Sequence, residues 1–155
     1  LSKGDIQIKL WFNSGGKRVN TATYIALTKH DEKWDASYYT FISYPRQNDS
    51  IIVGKKETVR LNYDSLYKQL LHDSLMTLNS DTINQLMDNG GQYSYLWLDS
   101  GPTNYTIQIL TDTHRQTVNF KCPKYFFYQA KIAEFENPLK VISSILKIIG
   151  LNEPC

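Results

Sequence analysis

The chain has 155 residues, 41% of them hydrophobic and 21% charged, and a formal net charge of +2. This balance is typical of a folded globular protein and excludes intrinsic disorder, and the length favours one globular domain over residues 1–155. Lysine and arginine are scattered among acidic residues and form no basic cluster, so nucleic acid is not an expected partner.

The first 61 residues predict four antiparallel strands separated by polar turns. Apolar and polar side chains alternate over residues 5–12, 18–28 and 34–44, as in half-buried strands, and residues 51–61 form a fourth candidate. In the first strand, one face holds Ile6, Ile8, Leu10 and Phe12, and Gln7, Lys9 and Trp11 lie mostly on the other. The short connections are rich in turn residues, so an antiparallel meander is the expected arrangement.

A helical period follows the meander. Leucines recur at helical spacing between Leu66 and Leu78, with polar side chains opposite, which predicts an amphipathic helix. A second, short helix is expected from Ser80, a good N-cap residue, to the pair Gly90-Gly91.

Three further strands are predicted, over residues 93–98, 104–110 and 116–121. A Gly-Pro turn separates the first two and a polar turn separates the last two, so hairpins are expected here. Residues 125–135 fit the period of a helix, but Tyr125–Tyr128 also fit a strand, and the sequence leaves both open.

The last predicted element is an apolar helix. Asn137 is the expected N-cap, Pro138 takes the first helical position, and Gly150 ends the helix. With about 12 residues, or roughly 18 Å, it is too short to cross a bilayer, so we expect it to dock on the sheet. The isoleucines expected to be buried there are Ile142, Ile145 and Ile149.

Together these elements predict an α+β fold. An antiparallel sheet of about six to seven strands, a meander plus a hairpin, is expected to pack against two to three helices, including the apolar C-terminal helix. No apolar run approaches the ~20 residues that a membrane-spanning helix needs, so no transmembrane segment is expected.

Residues 93–98 contain the candidate binding residues. In an extended strand, Tyr93, Tyr95 and Trp97 line one side, and Leu96 and Leu98 line the other. Such a strand is either covered on both faces, so that the rings belong to the core, or it presents the rings to a partner. The partner would be another protein or a carbohydrate.

The two cysteines, Cys122 and Cys155, are either free thiols or one disulfide. They form no CxxC pair and no Cys/His cluster, so no metal site is expected. A disulfide would anchor the chain end and favour export, because disulfides are rare in the cytosol. The chain begins at Leu1 and not at a methionine, which suggests a processed or truncated form. We favour a secreted, periplasmic or cell-envelope location over the cytoplasm.

No catalytic or cofactor-binding motif stands out, and no cofactor is expected. Residues 14–17 resemble the end of a phosphate-binding loop, but the earlier glycine that such a loop requires is replaced by Trp11, and a hairpin turn fits better. Two predicted turns contain histidines. If these turns lie at one end of the sheet, His30, Asp112 and His114 could converge as an acid/base or metal site.

We therefore expect a non-enzymatic binding protein that acts through a protein–protein surface, including as an inhibitor or a toxin-neutralising immunity protein. Such proteins need only a complementary surface and leave no motif. A carbohydrate- or small-ligand-binding domain that uses the aromatic strand is the first alternative. A hydrolase whose site is built from the turn histidines and acids is the second.

Overall fold

The computed structural model describes residues 2–15, 20–43, 51–57, 63–81, 85, 104–148, 150 and 151. Its strands are β1 (Ile6–Gly15), β2 (Asn20–His30), β3 (Lys33–Ser43), β4 (Ile51–Glu57), β5 (Asn104–Thr111) and β6 (Arg115–Lys121). They form an antiparallel sheet in the order β4-β3-β2-β1-β5-β6. The other strands of the meander, β2 to β4, therefore lie on one side of β1, and the hairpin of β5 and β6 lies on its other side.

Three α-helices lie entirely within the described residues. They are α1 (Tyr63–His72), α2 (Pro123–Tyr128) and α3 (Glu136–Ile148), and short 3-10 turns occupy Leu75–Thr77 and Ala133–Phe135. The predicted α+β class with an antiparallel sheet is confirmed. Among the residues described, no helix is long and apolar enough to cross a membrane. The predicted strand over residues 93–98 lies outside the described residues.

The core forms between one face of the sheet and the helices. The strands contribute buried side chains in strict alternation, namely Ile8, Leu10, Phe12, Ile25, Leu27, Tyr105, Ile107, Ile109, Val118 and Phe120. The helices add Leu70, Phe126, Val141, Ile142, Ile145 and Leu146 to the same cluster. We call the side of the sheet that packs against the helices the inner face, and the opposite side the outer face. The burial of Ile142 and Ile145 is confirmed, and the side chain of Ile149 is not among those described.

The amphipathic helix predicted from Leu66 to Leu78 is shorter than expected. Helix α1 ends at His72, and Ser74 takes a left-handed conformation with φ of 68°, which interrupts the α-helical hydrogen bonds. A 3-10 turn then continues the chain, so Leu75 and Leu78 still reach the core. The leucine spacing correctly indicated that Leu70, Leu75 and Leu78 are buried, but Leu71 is 42% exposed, and the spacing could not show the break.

Helix α3 begins one residue before its expected cap. Glu136 is its first residue because the 3-10 turn Ala133–Phe135 leads directly into it, so Asn137 lies inside the first turn and does not cap it. Pro138 is tolerated in this turn because the first N–H groups of a helix have no partner within it. The predictions that Asn137 is the N-cap and that Pro138 takes the first helical position were both wrong.

The ambiguous stretch 125–135 is helical at both ends and not a strand. Pro123 starts α2 at a position where its fixed φ favours a helix. Lys131 then adopts a φ of 60°, which separates α2 from the following 3-10 turn. Phe126 and Phe135 come together from the two segments, with ring centroids 5.1 Å apart and nearly parallel rings.

Helix α1 is fixed to the start of β3 by Trp34. The indole Nε1 of Trp34 donates a hydrogen bond of 2.8 Å to Oδ1 of Asp64. The same indole contacts the rings of Tyr63 and Tyr67, at centroid distances of 6.3 and 5.6 Å. Nζ of Lys29, on β2, lies 3.8 Å from Asp64 Oδ1. One aromatic side chain thus positions the helix on the sheet.

The fully buried Cys122 follows β6 and forms a disulfide. Cys155, the other cysteine of the chain, lies outside the described residues. The Cys122–Cys155 pairing therefore stays a prediction.

Candidate binding surface on the outer face of the sheet

Aromatic side chains line up across three strands of the outer face. The strand register places Trp11 of β1 opposite Tyr24 of β2, and Tyr24 opposite Tyr39 of β3. Phe41 follows two residues after Tyr39 and therefore shares its face. We call these four residues the aromatic row.

Neighbouring rings of the aromatic row are in contact. The centroid distances are 6.4 Å for Trp11 and Tyr24, 6.1 Å for Tyr24 and Tyr39, and 6.5 Å for Tyr39 and Phe41. The first two pairs are tilted by 31° and 47°, and the last by 26°. These spacings lie in the range of favourable aromatic pairs, so the rings hold one another in place.

All four side chains of the aromatic row are half-buried. Burial raises the pKa of the Tyr24 phenol, and the neighbouring Tyr39 phenol raises it further. Tyr24 therefore stays neutral at any physiological pH. The row combines apolar ring surface with neutral hydroxyl groups that can donate or accept hydrogen bonds.

A hollow of about 360 Å³ lies beside the aromatic row. In the strand register Ala22 lies between Asn13 and Phe41, and its methyl group is the smallest of these three laterally paired side chains. We call such a set of laterally paired residues a rung. Large rings around a small residue leave a depression. The described residues that line it are Lys9, Trp11, Asn13, Ala22, Thr23, Tyr24, Phe41 and Gln108.

Polar side chains on the strands of the hairpin border the aromatic row on one side. Thr106 donates a hydrogen bond of 2.7 Å to Oδ1 of Asn119, and Gln108 donates one of 3.3 Å to Oγ1 of Thr117. Both pairs join β5 to β6 across the outer face. An apolar centre with a polar margin is the usual anatomy of a protein-binding surface.

The predicted aromatic residues Tyr93, Tyr95 and Trp97 lie outside the described residues, so their role stays a prediction. The aromatic row was not identified from the sequence, although the strand pattern placed Trp11 on the face opposite the core. The sequence does contain a sign of it. Trp11, Tyr24 and Tyr39 occupy the positions of three consecutive strands that alternate with the core positions, and large rings there have no role in the core.

The two histidine-containing turns do lie at the same end of the sheet. Ile6 of β1 is opposite Lys29 of β2 on one side and Thr111 of β5 on the other. The strand β1 separates the two turns, however, and each histidine has a different partner. Nδ1 of His30 is 2.8 Å from Oδ1 of Asp5, whereas Nε2 of His114 is 3.3 Å from Oε1 of Gln116.

The contacts of His30 form a small charged cluster. Its Nε2 lies 3.3 Å from Oδ2 of Asp31, and Asp5 also accepts a hydrogen bond of 2.8 Å from the backbone N–H of Ser2. The hydrogen bond to Asp5 raises the pKa of His30, and the same bond lowers the pKa of Asp5. Within the described ranges, no group of three or more histidine, cysteine, aspartate or glutamate side chains is placed to hold a metal ion.

A second, larger hollow of about 710 Å³ lies on the helical layer, between α1, α2 and α3. Its wall includes Lys140, which forms an ion pair of 2.8 Å with Glu136. Tyr128, one of the most exposed large apolar side chains, also lines it. Charges of both signs face this hollow, so its chemistry favours no particular ligand.

Comparison with known proteins adds no identification. No protein-family model matches this chain, and no curated protein matches it either.

Proposed function

We propose that this chain is a non-enzymatic binding protein that recognises another protein through the outer face of its sheet. The observation that supports this most strongly is the aromatic row. It lies in register across three strands, on the side of the sheet opposite the helices. Large rings in that position are not needed to fill the core, whereas tyrosine and tryptophan are the residues that contribute most binding energy at protein interfaces.

The geometry of the row favours a protein over a carbohydrate. A carbohydrate that stacks on several rings at once needs them nearly coplanar, but Trp11 and Tyr24 are tilted by 31° and Tyr24 and Tyr39 by 47°. The resulting surface is irregular. It fits a protein surface, whose side chains can adapt to the tilted rings, better than a carbohydrate that spans several rings.

The disulfide of Cys122 supports a secreted or cell-envelope location, because disulfides persist in oxidising compartments. An inhibitor or immunity protein is compatible with this role. Such a protein needs a rigid surface and no reactive group, and rings packed on a sheet supply that rigidity at little entropic cost.

Affinity capture tests the proposal. The purified protein and its variants Trp11→Ala and Tyr39→Ala are used to capture partners from an extract of the source organism. We expect each variant to bind the captured partner about 30-fold more weakly or worse, because interface aromatics contribute ~2 kcal/mol or more. Thr28→Ala is the matched control, since Thr28 lies on the outer face of β2 away from the row.

The variants must remain folded for the test to count. Their circular dichroism and melting transitions should resemble those of the parent, since the rings are only half-buried. Equal capture by the parent and both aromatic variants would contradict the proposal. Binding of a glycan, and not of a protein, that depends on Trp11 would replace it with the carbohydrate alternative.

A further inference from the structure

The hollow over Ala22 has a physical origin in the sheet itself. Along the outer face of β2, Ala22 and Ala26 stand on either side of Tyr24. A methyl group between Asn13 and Phe41 cannot fill the space that larger side chains fill on neighbouring rungs. The small side chain of Ala22 between larger neighbours therefore contributes to the depression.

The hollow is lined by both apolar rings and a charged side chain. The rings of Trp11, Tyr24 and Phe41 supply its apolar sides, and Lys9 supplies the single charge among the described residues that line it. No ion pair joins Lys9 to another of the described residues. A partner that covers this hollow would have to desolvate the Lys9 ammonium, which is costly unless the partner brings an opposite charge.

We infer that the hollow is the anchor pocket of the proposed interface. It takes one large apolar side chain of an acidic protein partner, with a carboxylate beside that side chain paired to Lys9. This inference rests on the proposed function and specifies its partner. The size of about 360 Å³ lies within the range of pockets that hold small ligands, and buried anchor residues in pockets dominate many interfaces.

Small probes test the pocket without a known partner. The ¹⁵N-labelled protein is titrated with N-acetyl-phenylalanine, which has a ring and a carboxylate. Parallel titrations use its amide, which lacks the carboxylate, and N-acetyl-glycine, which lacks the ring. For the first probe we expect saturable shifts of the backbone amides of Trp11, Ala22, Tyr24 and Phe41, with a Kd on the order of 1–10 mM. The amide should bind about three- to five-fold more weakly, the range expected for one exposed ion pair.

Three variants locate the binding. Ala22→Phe fills the hollow and should weaken N-acetyl-phenylalanine binding by at least about ten-fold. Lys9→Gln should weaken it by about three- to five-fold and abolish the preference over the amide probe. Thr28→Phe adds the same ring to the same face of β2 outside the hollow, and binding should stay within about two-fold of the parent.

Several results would overturn the inference. The first is the absence of saturable shifts at these amides, and the second is equal binding of N-acetyl-phenylalanine to Ala22→Phe and the parent. The third is a shift of these amides with a glucose oligomer or a single-stranded oligonucleotide but not with N-acetyl-phenylalanine. Failure of the pocket is distinguishable from failure of the proposed function. If Trp11→Ala and Tyr39→Ala still lose the captured partner while the probes do not bind, the surface is confirmed and the anchor pocket is wrong.

Discussion

The turn between β2 and β3 places two residues in an unfavourable backbone conformation. Asp31 and Glu32 have φ values of 47° and 60°, and His30 and Lys33 pair on either side of them. This is the geometry of a two-residue hairpin turn that strongly favours Asn-Gly or Asp-Gly. The sequence supplies the aspartate but puts a glutamate where glycine is preferred.

Glu32→Gly should therefore stabilise the protein. Relief of the left-handed conformation is worth about 1–2 kcal/mol, and the greater freedom of glycine in the unfolded chain offsets part of it, so a net gain of about 0.5–1 kcal/mol is expected. Urea unfolding measures it. Glu32→Ala is the control, since it also removes the ion pair of 2.7 Å to Lys29 but keeps the strain. A glycine variant no more stable than the alanine variant would contradict this explanation.

The His30–Asp5 pair should make stability depend on pH. The hydrogen bond to Asp5 raises the pKa of His30 above its ordinary 6.5, so its contribution is complete below pH 6.5 and is lost as the pH rises through the raised value. The bond to His30 lowers the pKa of Asp5 below its ordinary 3.8, so that contribution is present above this pH and is lost as the pH falls through the lowered value.

Both contributions are present between about pH 4 and 6.5. Denaturant unfolding of the parent and of His30→Gln, measured from pH 4 to pH 9, should show the largest difference in stability in that window. The difference should shrink as the pH approaches 9. A difference that is independent of pH would show that the pair does not titrate with folding.

At the scale of elements, helix α3 contributes more buried residues than α1 or α2. Ile142 and Ile145 are 0% and 1% exposed and belong to the central cluster. Ile142→Ala and Ile145→Ala should each lower the free energy of unfolding by about 2–5 kcal/mol. The exposed Lys147 of the same helix is the control, and Lys147→Ala should change stability by less than about 0.5 kcal/mol. Small losses in both isoleucine variants would show that the helix is a peripheral element.

The disulfide is predicted to join Cys122, which follows β6, to Cys155. Counting reactive thiols in denaturant should detect none before reduction and two after it. A bond between Cys122 and Cys155 closes a loop of about 34 residues and would stabilise the fold by up to ~4 kcal/mol in the chain-entropy model. Two reactive thiols before reduction would rule the pairing out.

Strands were easier to predict than helix ends, for a physical reason. Alternation is a direct consequence of strand geometry, so Ile8, Leu10 and Phe12 identified their own buried face. The end of α1 depends on the single left-handed residue Ser74, and serine has no strong preference for that conformation. The local sequence therefore contains little information about where this helix stops.

For the whole molecule, the arrangement of strands determines the candidate surface. The sequence predicted a meander and a hairpin but not that β5 would pair with β1, a strand nearly a hundred positions earlier in the chain. Nor could it show that Trp11, Tyr24 and Tyr39 share one rung, since that depends on the register of two hairpins. The register of these two hairpins is what turns three separate rings into a row.

Hydroxyl-radical footprinting of the free and the partner-bound protein tests the central claim most directly. In the free protein, we expect Trp11, Tyr24, Tyr39 and Phe41 to be oxidised much faster than the core ring Tyr105, which is 1% exposed. In the complex, their oxidation should slow while that of Tyr128, on the helical layer, stays unchanged. Rings of the row that are as protected as Tyr105 in the free protein would contradict the account. So would a partner that protects Tyr128 and leaves the row as reactive as before.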